Sequence, residues 1–290
     1  MIKKYDINRI SNILNNKIIK YELLSNSFNI NFLKILLENK KKLIVKYYSK
    51  KENNFNAILS EGKNLDFLRH KNLNYFPKVI FRNNRYLITE FISNNSKIPN
   101  ITNNDFLNAV LGIHGITDDS YGFPFDTQIG GVKHKNKNSK NWFNFFCNTR
   151  FIYMYKLANK LNPIDSETNK RIELLINKMN NIIPNNPKPI LLHGDLWEGN
   201  ILFENNKFRG FIDPGSFFGH NEMELAYLRW FNPVFIDKKF LEKYDQYINL
   251  SNNYFEYEPV YQLYYALSNV ALWNKSYIKE VKKILNKLGF

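Results

Sequence analysis

A chain of 290 residues with 44% hydrophobic and 16% aromatic content can bury a sizeable core, which excludes a disordered chain. The formal charge of +15 accompanies Lys, Asn and Ile enriched together, as in Asn15-Asn16-Lys17-Ile18-Ile19-Lys20 and Lys133-His134-Lys135-Asn136-Lys137-Asn138. All three residue types have AT-rich codons, so the charge reads as compositional bias and no nucleic-acid partner is expected.

The first ninety residues read as strands with one helix. Leu43 to Tyr48 is a β-branched and aromatic run, the mark of a buried strand. From Ala57 to Leu68, the residues Ile58, Glu61, Leu65 and Leu68 fall at helical spacing, which sets Glu61 on an apolar face. Phe76 to Phe81 and Tyr86 to Ile92 flank the turn-like pair Asn83-Asn84 and predict a hairpin. Ser93-Asn94-Asn95-Ser96 then reads as a linker or hinge. Beyond it, helical periodicity covers Asp105 to His114, Trp142 to Leu161 and Arg171 to Ile183, until Pro184 and Pro187-Lys188-Pro189 interrupt it. Further helices are expected near Glu222 to Trp230 and Val260 to Trp273. The result is an α+β, two-lobed chain: a small β-rich lobe over residues 1–92 and a larger, mainly helical lobe over 93–290.

No apolar run of about 18 residues occurs, so no membrane span is expected. Met1-Ile2-Lys3-Lys4-Tyr5-Asp6 is basic but lacks a following signal-peptide core, and Cys147 is the single cysteine. A cytoplasmic monomer is the resulting expectation.

The chemistry concentrates in Leu191 to Phe203. An apolar approach leads into His193-Gly194-Asp195-Leu196-Trp197-Glu198-Gly199-Asn200 and an apolar stretch follows, which predicts a strand-loop-strand hairpin. Asp195 can accept a hydroxyl proton, and Asn200, five residues later, offers a neutral oxygen to a hard cation. Eighteen positions after Asp195, Phe211-Ile212-Asp213-Pro214-Gly215 delivers a second carboxylate from a strand end. The interval from Asp195 to Asn200, with a later Asp213, is that of phosphoryl-transfer sites where Asn and Asp hold magnesium beside ATP. Lys46 follows Leu43-Ile44-Val45 on a strand, the setting of a phosphate-pairing lysine, and Glu61 on the next helix is placed to orient it. Glu52 is the nearest alternative acid. Glu90, Phe91 and Ile92 close the small lobe, placed to present backbone groups to adenine. No glycine precedes Gly62, so the phosphate-covering turn is assigned to Ser25-Asn26-Ser27-Phe28-Asn29, whose Ser and Asn side chains can donate.

These segments resemble the fructosamine kinase (ketosamine-3-kinase) family, within the aminoglycoside-phosphotransferase-like kinases. The resemblance rests on His193 to Asn200, on Asp213-Pro214-Gly215 through Gly219-His220, and on Glu222-Met223-Glu224-Leu225-Ala226. Leu111 to His114, Tyr121 to Phe123 and Pro259 to Tyr264 extend it, from about Lys46 onward. It implies a protein-kinase-like fold and ATP- and Mg2+-dependent phosphorylation of the sugar O3 of ketoamines, free or on protein lysines. Asp195 would be the base, Asn200 and Asp213 the metal ligands, Lys46 the phosphate contact and Trp197 a platform for the sugar. His193 would brace the loop. The alternatives are a kinase for an aminoglycoside- or choline-like alcohol and a non-catalytic nucleotide-binding relative.

Overall fold

The computed structural model describes residues 4–50, 55–95, 98–99 and 103–290; Met1 to Lys3, Glu52 and Ser96 of the expected linker lie outside the described residues. The chain opens with α1 (Lys4–Leu14), β1 (Ile18–Ser27), β2 (Ile30–Leu37), β3 (Lys42–Tyr48), α2 (Ala57–His70), β4 (Val79–Arg82) and β5 (Tyr86–Glu90). The strands form one antiparallel sheet in the order β1-β2-β3-β5-β4. Strand alternation sorts its two faces. Leu33, Ile35, Val45, Tyr47 and Ile88 turn one way and cluster with Ile10 of α1, while Lys46 turns the other way, towards α2. The expectation of a single helix in this region is therefore corrected by α1. The spacing of Ile7, Ile10, Ile13 and Leu14 carried that signal, and these residues pack on the sheet's outer face. The hairpin strands are shorter than read from sequence, and β5 stops at Glu90.

The larger part continues with α3 (Asn104–His114), β6 (Thr127–Ile129), β7 (Val132–His134), α4 (Trp142–Phe145) and α5 (Ile152–Leu161). Next come α6 (Ser166–Lys178), β8 (Ile190–Leu192), β9 (Ile201–Glu204), β10 (Lys207–Phe211) and β11 (Phe217–Gly219). The helices α7 (Asn221–Phe231), α8 (Lys238–Asp245), α9 (Tyr254–Leu272) and α10 (Ile278–Lys287) complete it. The helix expected over Trp142 to Leu161 is broken by a π-helical turn, Phe146–Phe151. That turn carries buried Arg150, held between the Phe145 and Phe217 rings at 4.7 and 4.3 Å. α6 begins earlier than read, where Asp165 caps it through the Thr168 N–H. The abundant Asn has a local use of the same kind: Asn56, Asn103 and Asn141 cap α2, α3 and α4. α9 is buried on all sides from Tyr257 to Ala271, as suits a helix at the centre of a helical lobe. No helix among the described residues is long and apolar enough to cross a membrane.

The hairpin expected over Leu191 to Phe203 is also corrected. β8 pairs with β11 and β9 with β10, so the strands flanking the Asp195 loop belong to different two-stranded sheets. Apolar runs on both sides of a loop do not specify which strand each will pair with. The consequence is useful, because the β8–β11 and β9–β10 pairs bring the Asp195 and Asp213 loops side by side.

Candidate active site

Lys46 Nζ donates to both carboxylate oxygens of Glu61 (2.8 and 2.9 Å) and to Asp213 Oδ1 (2.6 Å). Burial alone would pull the ammonium's pKa down. The Asp213 and Glu61 charges outweigh it and hold the pKa above the ordinary lysine value. Lys46 comes from β3, Glu61 from α2 and Asp213 from the loop after β10, so one ammonium ties the sheet to the larger lobe.

The Asp195 loop is built by backbone contacts that only certain residues permit. Gly194 has φ +86°, and a Cβ there would stand 2.2 Å from the Gly215 carbonyl. Only glycine allows that approach, and it joins the His193–Asp195 turn to the Asp213–Gly215 turn. The Gly215 N–H donates to the His193 carbonyl (2.9 Å) and the Ile212 N–H to the Asn200 carbonyl (3.1 Å). His193 spends both ring nitrogens on backbone: Nδ1 accepts from the Asp195 N–H (3.3 Å) and Nε2–H donates to the Ile212 carbonyl (3.0 Å). Burial lowers its pKa, so a neutral ring suits this bracing position.

Sequence reasoning gave no role to Glu224 on α7, yet its buried carboxylate accepts from the His193 N–H (3.0 Å), the Gly194 N–H (2.7 Å) and His114 Nε2 (3.1 Å). Its burial favours the neutral form, but His114 and the backbone donor hold its pKa below the usual range. A glutamate inside the apolar run Met223 to Leu228 was the available signal. Glu224→Ala leaves two buried N–H groups unpaired and should cost roughly 3 kcal/mol, read from denaturant unfolding. Glu224→Gln keeps an acceptor oxygen and should cost less.

Asp195 faces the cleft partly exposed. Burial, joined by the nearby Asp213 charge, pushes its carboxyl up to about 7, against the Asn200 amide and the Tyr227 hydroxyl. Asn200 Nδ2 donates to the Asp195 carbonyl (2.7 Å), which leaves its oxygen as the side chain's other polar atom. Among the described residues no three His, Cys, Asp or Glu side chains gather as a metal cage. An amide oxygen and a carboxylate fit a different kind of site, that of a hard cation completed by phosphate oxygens.

Lys46, Glu61, Asp195, Trp197, Asn200 and Asp213 line a single cavity. Glu90, Phe91 and Ile92 are not among its lining residues. Glu90 pairs with Lys78 through backbone, and the Phe91 ring lies 4.4 Å from Lys34 Nζ. The glycine-free turn does reach the cavity: Ser25, Ser27 and Phe28 line it, and Phe28 and Asn29 turn the chain with φ of +50° and +61°. Trp273, to which the sequence reading gave no role, meets Phe28 edge-on at 6.4 Å across the cavity. Trp197 is half-buried, and its ring lies over Gly199, where a Cβ would stand 2.4 Å from it.

Residues 10–289 match the family model described as Fructosamine kinase. An Enterococcus faecium protein named as a probable ketoamine kinase is 28% identical over 182 residues, 62% of this chain and 65% of that protein. The chloroplastic protein-ribulosamine 3-kinase of Arabidopsis thaliana is 29% identical over 202 residues, 69% of this chain and 61% of that protein. The chain thus spans somewhat under two thirds of both relatives. A solved Thermobifida fusca structure assigned to fructosamine-3-kinase superposes with a TM-score of 0.84 at 20% identity, covering 97% of each chain. That likeness gives the fold: two-lobed and protein-kinase-like.

Proposed function

Because the chain belongs to the fructosamine kinase family, we propose that it is an ATP-dependent ketosamine 3-kinase acting on the sugar O3 of fructosamine- or ribulosamine-type adducts. The observation that carries the reading is the convergence of Lys46, Glu61, Asp195, Asn200 and Asp213 on one cavity, with Lys46 bonded to both Glu61 and Asp213. Phosphoryl transfer asks a protein mainly for positioning and charge stabilisation, and this set of groups supplies both.

In this reading Asp195 accepts the proton of the sugar O3 hydroxyl as that oxygen bonds to the γ-phosphorus of ATP and the bond to the ADP oxygen breaks. Lys46, kept protonated, meets phosphate oxygens, with Glu61 fixing its direction. Asn200 and Asp213 would hold Mg2+, which when bound neutralises charge on the phosphates. The Ser25–Asn29 turn covers the phosphates, and of the Glu90–Ile92 segment, which stands outside the cavity lining, the Phe91 backbone is the part left for adenine once the Glu90 N–H is paired with Lys78 and the Ile92 carbonyl with Asn94. Trp197 offers the sugar an apolar face.

The test is ATP consumption by the purified chain with synthetic fructosamine and ribulosamine adducts, an aminoglycoside and choline. Turnover confined to the ketoamines is the expected result. Turnover of the aminoglycoside or choline alone would replace the substrate assignment, and ATP binding without turnover of any acceptor would sink the enzyme reading.

A further inference from the structure

Beside the catalytic cavity lies a second recess lined by Trp197, Tyr227, Phe231, Asn269, Trp273 and Tyr277. The two share Trp197 and Trp273 as walls, so the recess adjoins the cavity that Asp195 lines. Three of its rings are linked: Phe231 lies 5.5 Å from Trp197 and 5.3 Å from Tyr227, and Tyr227 stacks on the core ring Tyr265 at 3.6 Å. In a chain with 41 Lys and Arg, none of the six lining residues is basic. Asn269 donates Nδ2–H to the Tyr265 carbonyl (2.8 Å) and, with the Tyr227 and Tyr277 hydroxyls, adds neutral oxygens to the lining.

Aromatic faces without a competing cation, together with neutral acceptor oxygens, suit an alkylammonium group. Such a group lies close to the reacting oxygen in the substrate class proposed above, where only a short carbon bridge separates the sugar O3 from the protonated secondary amine. We propose that this recess is the amine subsite of the acceptor. It takes the ammonium and the first carbons of the chain bearing it, while the sugar lies between Trp197 and Asp195. The assignment rests on the ketoamine reading and adds a selection to it: the nitrogen's charge is recognised as well as the sugar.

Two acceptors with the same sugar test it, one carrying an aliphatic secondary amine and the other an ether oxygen in place of that nitrogen. With the wild-type chain the amine adduct should have an acceptor KM about tenfold below that of the ether. Tyr277 lines the recess but not the catalytic cavity. Tyr277→Leu should raise the amine adduct's KM about tenfold while the ATP KM stays within about twofold, and Tyr277→Phe, which keeps the ring, should retain the wild-type value. Trp273→Leu, at a residue 61% exposed and so tolerant of change, should raise the same KM. Equal KM values for amine and ether, or an unmoved acceptor KM in both Leu variants, would overturn the subsite while the ketoamine kinase reading stands. If the wild-type chain phosphorylates neither acceptor, that reading falls and the subsite's occupant falls with it.

Discussion

Asp213→Asn should lower kcat by roughly 10³-fold with native-like thermal unfolding, because a lost magnesium carboxylate removes several kcal/mol of charge stabilisation. Asparagine is the informative replacement. Asp213 sits at φ +56°, a left-handed conformation that Asn tolerates and Ala does not, so the turn should survive. Lys46 would still hold both oxygens of Glu61, which keeps its ammonium paired. Phosphate release measured at saturating ATP and acceptor, beside circular dichroism, checks both halves. Turnover within about threefold of wild type would remove Asp213 from the metal site, since the loss of a charged ligand cannot be that small.

Asp195→Asn should lower kcat by about 10²- to 10⁴-fold, the usual contribution of a positioned general base. The wild-type enzyme should also show a pH limb with a definite sign. Only the carboxylate can accept the hydroxyl proton, and burial pushes the Asp195 carboxyl up to about 7. Its rate should therefore rise with pH through about 7 and be lost as pH falls below it, and the residual rate of Asp195→Asn should lack that limb. Stability should move the other way. A raised folded-state pKa means that the folded chain holds this proton more tightly than the unfolded chain does. Ionising Asp195 thus costs stability as pH rises from the ordinary carboxylate range through about 7, and Asp195→Asn should melt higher than wild type at pH above that window. A limb retained in the variant would assign the titration to another group.

The elements most legible in the sequence were those whose patterns are local. The helical spacing of Ile58, Glu61, Leu65 and Leu68, and the β-branched and aromatic run from Leu43 to Tyr48, each depend on a few neighbours, and both appear as read. Misreadings arose where the local pattern was ambiguous or partnership was non-local. Short apolar runs could not say that β8 belongs with β11 and β9 with β10. A helical period did not reveal the π-helical turn, which houses Arg150 between two phenylalanine rings. α1 was legible but overlooked, because its few apolar residues matter only against the sheet face that they cover.

For the site, the sequence by itself supplied the candidate groups: the order and spacing of Asp195, Asn200 and Asp213, a lysine on a strand and a glutamate on the next helix. Those are properties of the chain, carried in residue type and interval. The tertiary structure alone decided that Lys46 bonds to Asp213 as well as to Glu61, that Glu224 pins the His193–Gly194 turn, and that Trp273 and Tyr277 line an aromatic recess adjoining the Asp195 cavity. Each joins residues remote in sequence, and their meeting depends on strand pairing and on the close approach that Gly194 allows at Gly215, neither of which leaves a periodic trace along the chain.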